Sequence, residues 1–210
     1  MISPTVSALA DAALLLPAAT LLLLYLAALR EGRLALAFAT SLGASAVTII
    51  ALKLVFHACG HTLTDVQVIS PSGHVAFGTV FYGALAIMLA TGHGAGIRLG
   101  AAAATILLLV AIGISRVRVG AHSFAEVLIG FAVGAAAIAL FAVMHAWAGR
   151  PRLPWIPVAA GFAVALATLG GSHFSLERNI AGFARRMASS LDVCAPVPGN
   201  ERRRFSSERH

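Results

Sequence analysis

The sequence has few charged residues. They make up 11% of its 210 residues, whereas hydrophobic residues make up 59% and the mean hydropathy is +0.90. A soluble domain of this length needs far more charge on its surface. Several apolar runs instead reach about 20 residues, the length that crosses a bilayer. The scarcity of charge therefore excludes an ordinary soluble enzyme and predicts an integral helical membrane protein.

Cysteine and lysine are also scarce. The two cysteines, Cys59 and Cys194, form neither a CxxC pair nor a disulfide framework. Lys53 is the only lysine, so arginine carries nearly all of the positive charge, and half of the arginines lie beyond residue 173. No aromatic interleaving or known binding motif accompanies them. We therefore expect no nucleic-acid partner, and a basic tail that is solvated or near anionic lipid headgroups.

Hydropathy predicts an all-α, polytopic membrane bundle of about six transmembrane helices. The predicted spans are residues 8–29, 34–56, 75–90, 97–114, 124–147 and a short last one, 155–169. The first has no basic segment before it, which favours a span over a cleavable signal peptide. We expect three regions: a membrane-embedded domain at 1–171, an amphipathic interfacial helix at 172–193 and a disordered basic tail at 194–210.

Six spans place the two polar loops, 57–73 and 115–122, on the same side of the membrane. The short loops on the other side carry Arg30, Arg33, Arg98, Arg150 and Arg152. By the positive-inside rule the short loops face the cytoplasm and the polar loops face outward, as expected in a bacterial inner membrane. The basic tail would then also lie outside, but long tails follow this rule poorly.

Each polar loop ends in a histidine at the start of a span, His74 in "PSGH" and His122 in "SRVRVGAH". The residues around them suit a phosphate group. Ser72 is positioned as a helix N-cap, and Gly73 lets a ligand approach the backbone closely. The free N–H groups of a helix start attract an anion, and Arg116 offers a planar fork for phosphate oxygens.

Phosphoryl transfer requires this combination of groups. Fixed donors must surround the charge that builds on the phosphorus oxygens, a nucleophile must attack phosphorus, and an acid must protonate the leaving oxygen. Two histidines from two loops can share the last two tasks. Lys53, at the end of the second predicted span, adds a cation next to the first polar loop.

Two motifs together resemble those of the type 2 phosphatidic acid phosphatase family. The first is "PSGH". The second follows two spans later and reads Ser-Arg, five residues, His, three residues and an acid. That family shares its phosphate site with bacterial acid phosphatases and vanadium haloperoxidases. The similarity covers about residues 50–135. It implies hydrolysis without metal or cofactor, with His122 as the nucleophile that forms a phosphohistidine and His74 as the general acid. It also implies that Glu126 orients His122, and that the phosphate is held by Lys53, Ser72, Gly73 and Arg116.

The chain departs from the family pattern in two places. The first family motif is a lysine, six residues and then Arg-Pro, but here Lys53 is followed by "LVFHAC" and Gly60-His61. The missing arginine removes a phosphate ligand or moves its task to His57, His61 or Arg118. Glu126 stands where the family usually has aspartate, which changes the reach to His122.

Plainer interpretations stay open for several of these residues. His74 and His122 can be helix-end histidines without chemistry, and Lys53 can be a snorkelling lysine. Ser123-x-x-Glu126 is also a capping-box pattern. His57 and His61 lie four residues apart, a spacing that also suits a metal, although no third ligand is evident.

We predict an integral membrane phosphatase that acts on a lipid phosphate or polyprenyl diphosphate at the membrane interface. The alternative is a degenerate member that binds or transports a lipid phosphate without hydrolysis. Phosphatidic acid, phosphatidylglycerol phosphate, a polyprenyl diphosphate and phosphorylated lipid A are all compatible with the motifs, as is transfer to an acceptor other than water. The glycines of "GFAVGAAA" (130–137) are predicted to serve close helix packing.

Overall fold

The computed structural model describes residues 6, 9–63, 70–151, 153–154, 157–158 and 160–164, with side chains for all of these except 57–63. Every regular element in this part of the chain is α-helical, which confirms the predicted fold class. Five helices follow one another: α1 (Ala12–Ala28), α2 (Gly32–Leu63), α3 (Gly73–Ala90), α4 (Ala95–Arg118) and α5 (Phe124–Trp147).

Four of these helices, α2 to α5, are long and apolar enough to cross a membrane. Helix α1 is also apolar but has 17 residues. It begins later than the predicted residue 8, because the Asp11 carboxylate caps it by accepting a hydrogen bond from the backbone N–H of Ala13 (2.9 Å). Helical residues at 157–158 and 160–164 fall in the predicted sixth span. The rest of that span, the interfacial helix at 172–193 and the tail at 194–210 lie outside the described residues.

Two helices are longer than predicted. Helix α2 continues through residues 57–63, which we expected to be loop, and α4 continues to Arg118 through the predicted loop residues 115–118. The mixture of polar and apolar residues ended the hydropathy signal but not the helix, because neither segment contains proline. The basic residues Arg116 and Arg118 also suit the last turn of a helix, where the backbone dipole is negative.

Helix α3 is the centre of the bundle. Of its membrane-spanning window, 61% is buried, against 17% for α4, which is the most exposed span. It contacts α1, α2, α4 and α5, and aromatic rings fill the space between them. Phe38 of α2 lies between Phe81 and Phe141, at centroid distances of 6.2 and 6.4 Å. The large apolar side chains of α4, such as Leu99 and Leu107, point away from this core and suit contact with lipid.

Small residues let α3 and α5 approach closely. A Cβ atom on Gly130 would lie 2.6 Å from the Ser72 carbonyl oxygen, and one on Gly134 would lie 2.5 Å from the Thr79 Cβ. Real Cβ atoms do not approach other atoms so closely, so any larger residue would force the helices apart. The prediction that these glycines serve helix packing is confirmed. The close contact brings the start of α3 against the start of α5.

Candidate functional site

The site is built around Glu126, in the first turn of α5. Its Oε2 atom lies 3.1 Å from Nδ1 of His122 and 3.0 Å from the backbone N of Ser123. The Ser123 hydroxyl in turn accepts a hydrogen bond from the Glu126 backbone N–H, which completes a capping box. The carboxylate therefore makes both contacts suggested by the sequence, one to the helix start and one to His122.

This contact fixes the proton on the His122 ring. A carboxylate that already accepts backbone N–H groups is an acceptor, so Nδ1 must carry the proton and donate it to Glu126. The opposite nitrogen, Nε2, then carries the lone pair. Both side chains are buried, with exposed fractions of 2% for His122 and 7% for Glu126. The arrangement is that of an oriented imidazole whose Nε2 can act as a nucleophile or a base.

A second polar chain joins Glu126 to the only lysine. The Ser70 backbone N–H donates to Glu126 Oε1 (2.7 Å), and Lys53 Nζ donates to the Ser70 hydroxyl (2.8 Å). Lys53 is 4% exposed, so its side chain does not snorkel to water in this structure. A buried ammonium and a buried carboxylate are thus connected through one serine, which offsets part of the cost of burying both.

The start of α3 is held against the start of α5. The Ser72 backbone N–H donates to the Glu126 carbonyl oxygen (3.1 Å), so "PSGH" and "AHSFAE" are hydrogen-bonded directly. Ser72 occupies the N-cap position, as expected, but its side chain makes no capping hydrogen bond. Its buried hydroxyl has no hydrogen-bond partner among the described residues. A Cβ on Gly73 would lie 3.9 Å from Lys53 Cε, which places the α3 start beside the lysine.

His74 lies on the first turn of α3, near a residue that the sequence reasoning did not select. Its Nε2 atom is 3.9 Å from Oδ2 of Asp11, and both side chains are 21% exposed. The other Asp11 oxygen caps α1. Each of the two histidines thus faces a carboxylate. Asp11 places His74 beside an acidic group, whereas the shorter contact with Glu126 orients the His122 ring and sets Nδ1 as the nitrogen that donates to the carboxylate.

Arg116 and Arg118 lie in the last turn of α4, with Arg116 partly buried and Arg118 exposed. The chain then turns at Gly120 (φ +71°), and the Ala121 backbone N–H donates to the Arg116 carbonyl oxygen (3.1 Å). This tight turn brings the chain from Arg116 to His122 within six residues. The other proposed substitutes for the missing arginine, His57 and His61, lie on α2, but their side chains are outside the described residues. Within the described part, no group of three or more His, Cys, Asp or Glu side chains is arranged to hold a metal ion.

An apolar cavity of about 290 Å³ adjoins these polar groups, between α1, α2 and α3. Lys53, Gly73 and His74 line it together with apolar side chains such as Leu15, Ile49 and Phe77. The cavity thus offers a hydrocarbon-like surface next to a cationic and hydrogen-bonding one. This combination suits an amphiphile whose polar group is a phosphate.

Sequence reasoning missed two residues of this arrangement, Ser70 and Asp11. Ser70 directly precedes "PSGH", and its proximity to that motif was the available signal. Asp11 is the only acid within the first predicted span, 8–29. Counting helices puts the start of α1 at the same end of the bundle as both histidine loops, but it does not show that Asp11 faces His74.

The comparisons with known proteins agree with this geometry. The family model described as "PAP2 superfamily" matches residues 55–150, which include both histidine motifs and Glu126. The chain is 30% identical over 187 residues to a Klebsiella pneumoniae protein described as "Uncharacterized 22.5 kDa protein in cps region", an alignment that covers 87% of this chain and 89% of the relative. No solved structure matches the chain.

Proposed function

The chain belongs to the PAP2 superfamily, and on this premise we propose that it hydrolyses a lipid phosphate or lipid diphosphate through a phosphohistidine on His122. Family membership and the apolar helices together indicate a membrane phosphatase. The observation that carries the finer proposal is the buried His122–Glu126 pair, which keeps Nδ1 protonated and leaves Nε2 as the attacking nitrogen.

In the first step, the lone pair of His122 Nε2 attacks phosphorus. A P–N bond forms, and the bond from phosphorus to the leaving oxygen breaks. His74 gives its proton to that oxygen, so the lipid leaves as a neutral alcohol or as a protonated phosphate. The carboxylate of Glu126 stabilises the positive charge that His122 acquires. Asp11 supports the step by favouring the protonated form of His74 before attack.

In the second step, water attacks the phosphohistidine. His74 has lost its proton and now accepts one from that water, so the same residue serves as acid and then as base. The P–N bond breaks, inorganic phosphate leaves, and His122 returns to its Nδ1-protonated form. Protons and electron pairs balance over the two steps, and the net reaction is hydrolysis of one phosphate ester or anhydride bond. In this proposal no metal takes part.

The phosphate oxygens require several donors during both steps. We assign this task to Lys53, Arg116, the Ser72 hydroxyl and the backbone at Gly73. The buried Ser72 hydroxyl supports its assignment, because it makes no capping contact. The first motif lacks its arginine, so the site has one cation fewer to hold the phosphate. We propose that His57, His61 or Arg118 supplies that positive charge. Without such a replacement, the protein would bind a lipid phosphate but turn it over slowly.

A lipid substrate is supported by the apolar cavity beside His74 and Lys53. The phosphate would bind to the polar groups while the first part of the hydrocarbon chain lies between α1 and α3. The positive-inside rule supports a site that faces outward from the cytoplasmic membrane of a bacterium, because arginines concentrate in the short loops at the other end.

Phosphate release by the purified protein in detergent tests the proposal. A panel of lipid monophosphates and diphosphates would be offered in the presence of a chelator, with His122→Ala as the inactive variant. We expect release that survives the chelator and falls at least about a thousandfold in the variant. Full activity in His122→Ala would overturn the covalent mechanism. Lipid binding without release in the wild type would instead support the binding alternative.

A further inference from the structure

A second cavity, of about 400 Å³, lies at the end of the bundle opposite the candidate active site. It is formed where α3 ends, α4 begins and α5 ends. Its polar lining comes from Thr91, Arg98, His145 and Arg150, and its apolar lining includes Ile87. We propose that this cavity binds a phosphate-bearing anion, a role separate from the proposed hydrolysis.

His145 is the first indication of a ligand. Its side chain lies in the last turn of α5, is 3% exposed and stacks on Phe141 with a centroid distance of 5.6 Å. The buried Nε2 atom has no hydrogen-bond partner among the described residues. A buried polar atom without a partner is costly, so such atoms in native proteins commonly meet a ligand, an ion or water. Here the residue lines a cavity large enough to hold one.

The two arginines make the lining of the cavity positively charged. Arg150 follows α5 in a left-handed conformation (φ 52°), and its backbone N–H donates to the His145 carbonyl oxygen (3.3 Å), so the two residues are held together. Arg98 approaches from the first turn of α4, whose N-cap, Gly94, provides no side-chain cap. The positive end of the α4 dipole therefore adds to the two guanidinium groups.

No acidic side chain lines this cavity. Among the described residues, Glu31 in the turn between α1 and α2 is the only acid at this end of the bundle. A planar guanidinium binds oxyanions through paired hydrogen bonds, and two of them beside a buried imidazole offer enough donors for the several oxygens of a phosphate group. Basic pockets between helix ends are also where anionic phospholipid headgroups bind. The phosphate is therefore that of a lipid headgroup or a free anion.

The position separates this cavity from the active site. The two lie at opposite ends of α3, whose 18 residues span about 27 Å. A single phosphate cannot contact both. A phosphodiester lipid with a net negative charge, which carries no terminal phosphate, would be a poor substrate for the active site and a suitable ligand for this cavity.

Lipid retention by the purified full-length protein tests the proposal. Native mass spectrometry in detergent would compare dioleoyl phosphatidylglycerol, net-neutral dioleoyl phosphatidylcholine and inorganic phosphate. The double variant Arg98→Gln/Arg150→Gln removes the cations with little change of size. Arg30→Gln/Arg33→Gln is the matched control, because it removes the same charge from the same end without touching the cavity. Unfolding temperatures without lipid verify that both variants fold.

We expect phosphatidylglycerol to bind in preference to phosphatidylcholine, and its affinity to fall at least about tenfold in the cavity variant and less than about twofold in the control. Binding of inorganic phosphate with the same variant dependence, but no preference between the lipids, would assign the cavity to a free anion. Equal losses in the two double variants, or no loss in either, would overturn the proposal. His145→Gln should weaken binding less than the loss of both arginines.

Discussion

The two ends of the helical bundle differ in the burial and pairing of their charged groups. At the end that holds the candidate active site, groups of both signs are buried and joined by hydrogen bonds, from Lys53 through Ser70 to Glu126 and His122. At the other end, the described arginines are exposed and face little opposing charge. They are Arg30, Arg33, Arg98 and Arg150. One end is organised for chemistry inside the protein, and the other for contact with what surrounds it.

The difference explains why the same residue types have different roles. A charge that is buried among fixed partners keeps one orientation, and such preorganised groups stabilise a transition state. A charge that is exposed at a membrane surface contributes mainly to topology and lipid contact. Altering a residue should therefore have large effects on turnover at the first end and small effects at the second.

The largest effect among these comparisons is expected for Glu126→Gln. The amide keeps the shape of the side chain but loses the charge that holds the proton on Nδ1 of His122 and stabilises the phosphohistidine cation. We expect turnover of a lipid phosphate to fall by about a hundredfold or more. Glu126→Asp is the control, because it keeps the charge and only shortens the reach. If Glu126→Gln retained as much activity as Glu126→Asp, the charge would not matter and the orienting role would be wrong.

The contact between α3 and α5 holds the first end together, and Gly134→Ala tests it. The new methyl group would meet the Thr79 side chain at 2.5 Å, so the helices must separate. We expect a loss of about 1–3 kcal/mol in the free energy of unfolding, measured by chemical denaturation in mixed micelles.

Gly100→Ala is the matched control for that change. Nothing lies within 4 Å of a Cβ at this helical position of α4, so the same substitution meets no obstacle. It should leave stability unchanged or raise it by a few tenths of a kcal/mol up to about 1 kcal/mol, because alanine favours a helix over glycine. Similar destabilisation by both substitutions would mean that close packing is not the cause.

A smaller effect is expected for Asp11→Asn. Asparagine still caps α1, but it removes the carboxylate charge 3.9 Å from His74. Turnover of a lipid phosphate should fall about three- to tenfold, because His74 loses a charged partner while His122 and Glu126 are untouched. Asp11→Ala, which also removes the cap, is the comparison, and it should lower the unfolding temperature as well. Unchanged turnover in Asp11→Asn would show that Asp11 serves only as a helix cap.

The smallest effect is expected at the opposite end. Arg30→Gln/Arg33→Gln alters two exposed side chains that make no contact with the candidate active site. Phosphate release per folded protein should change by less than about twofold, in line with the usual effect of surface substitutions. A large loss of turnover in this variant would show that the two ends are coupled, and the contrast between them would not hold.

Much of the fold could be predicted from the sequence, because a long apolar run in a membrane can form little other than a helix. The ends of the helices were predicted less accurately. Residues 57–63 and 115–118 mix polar and apolar side chains, so hydropathy assigned them to loops although both continue a helix. A hydropathy window responds to transfer into lipid, whereas the helix is maintained by backbone hydrogen bonds that continue beyond the membrane.

The contacts of the candidate site could be predicted where its residues lie close together in the chain. His122, Ser123 and Glu126 share one helix start, so their contacts follow from spacing. The contacts of Ser70 and Asp11 were not predicted. They depend on α1, α3 and α5 meeting at one end, and Asp11 reaches His74 across 62 intervening residues. Such tertiary contacts are determined by packing between helices, as at Gly130 and Gly134. The residues next to Asp11 in the chain form no local pattern that predicts them.

The covalent mechanism is tested most directly by trapping the phosphohistidine. Purified protein would be mixed with a lipid phosphate labelled with ³²P, quenched in alkali within the first turnover, and digested for mass spectrometry. We expect a label that is stable to alkali, labile to acid, located on His122 and absent from His122→Ala. Rapid turnover in the wild type with no label on His122, and continued turnover in His122→Ala, would contradict this mechanism.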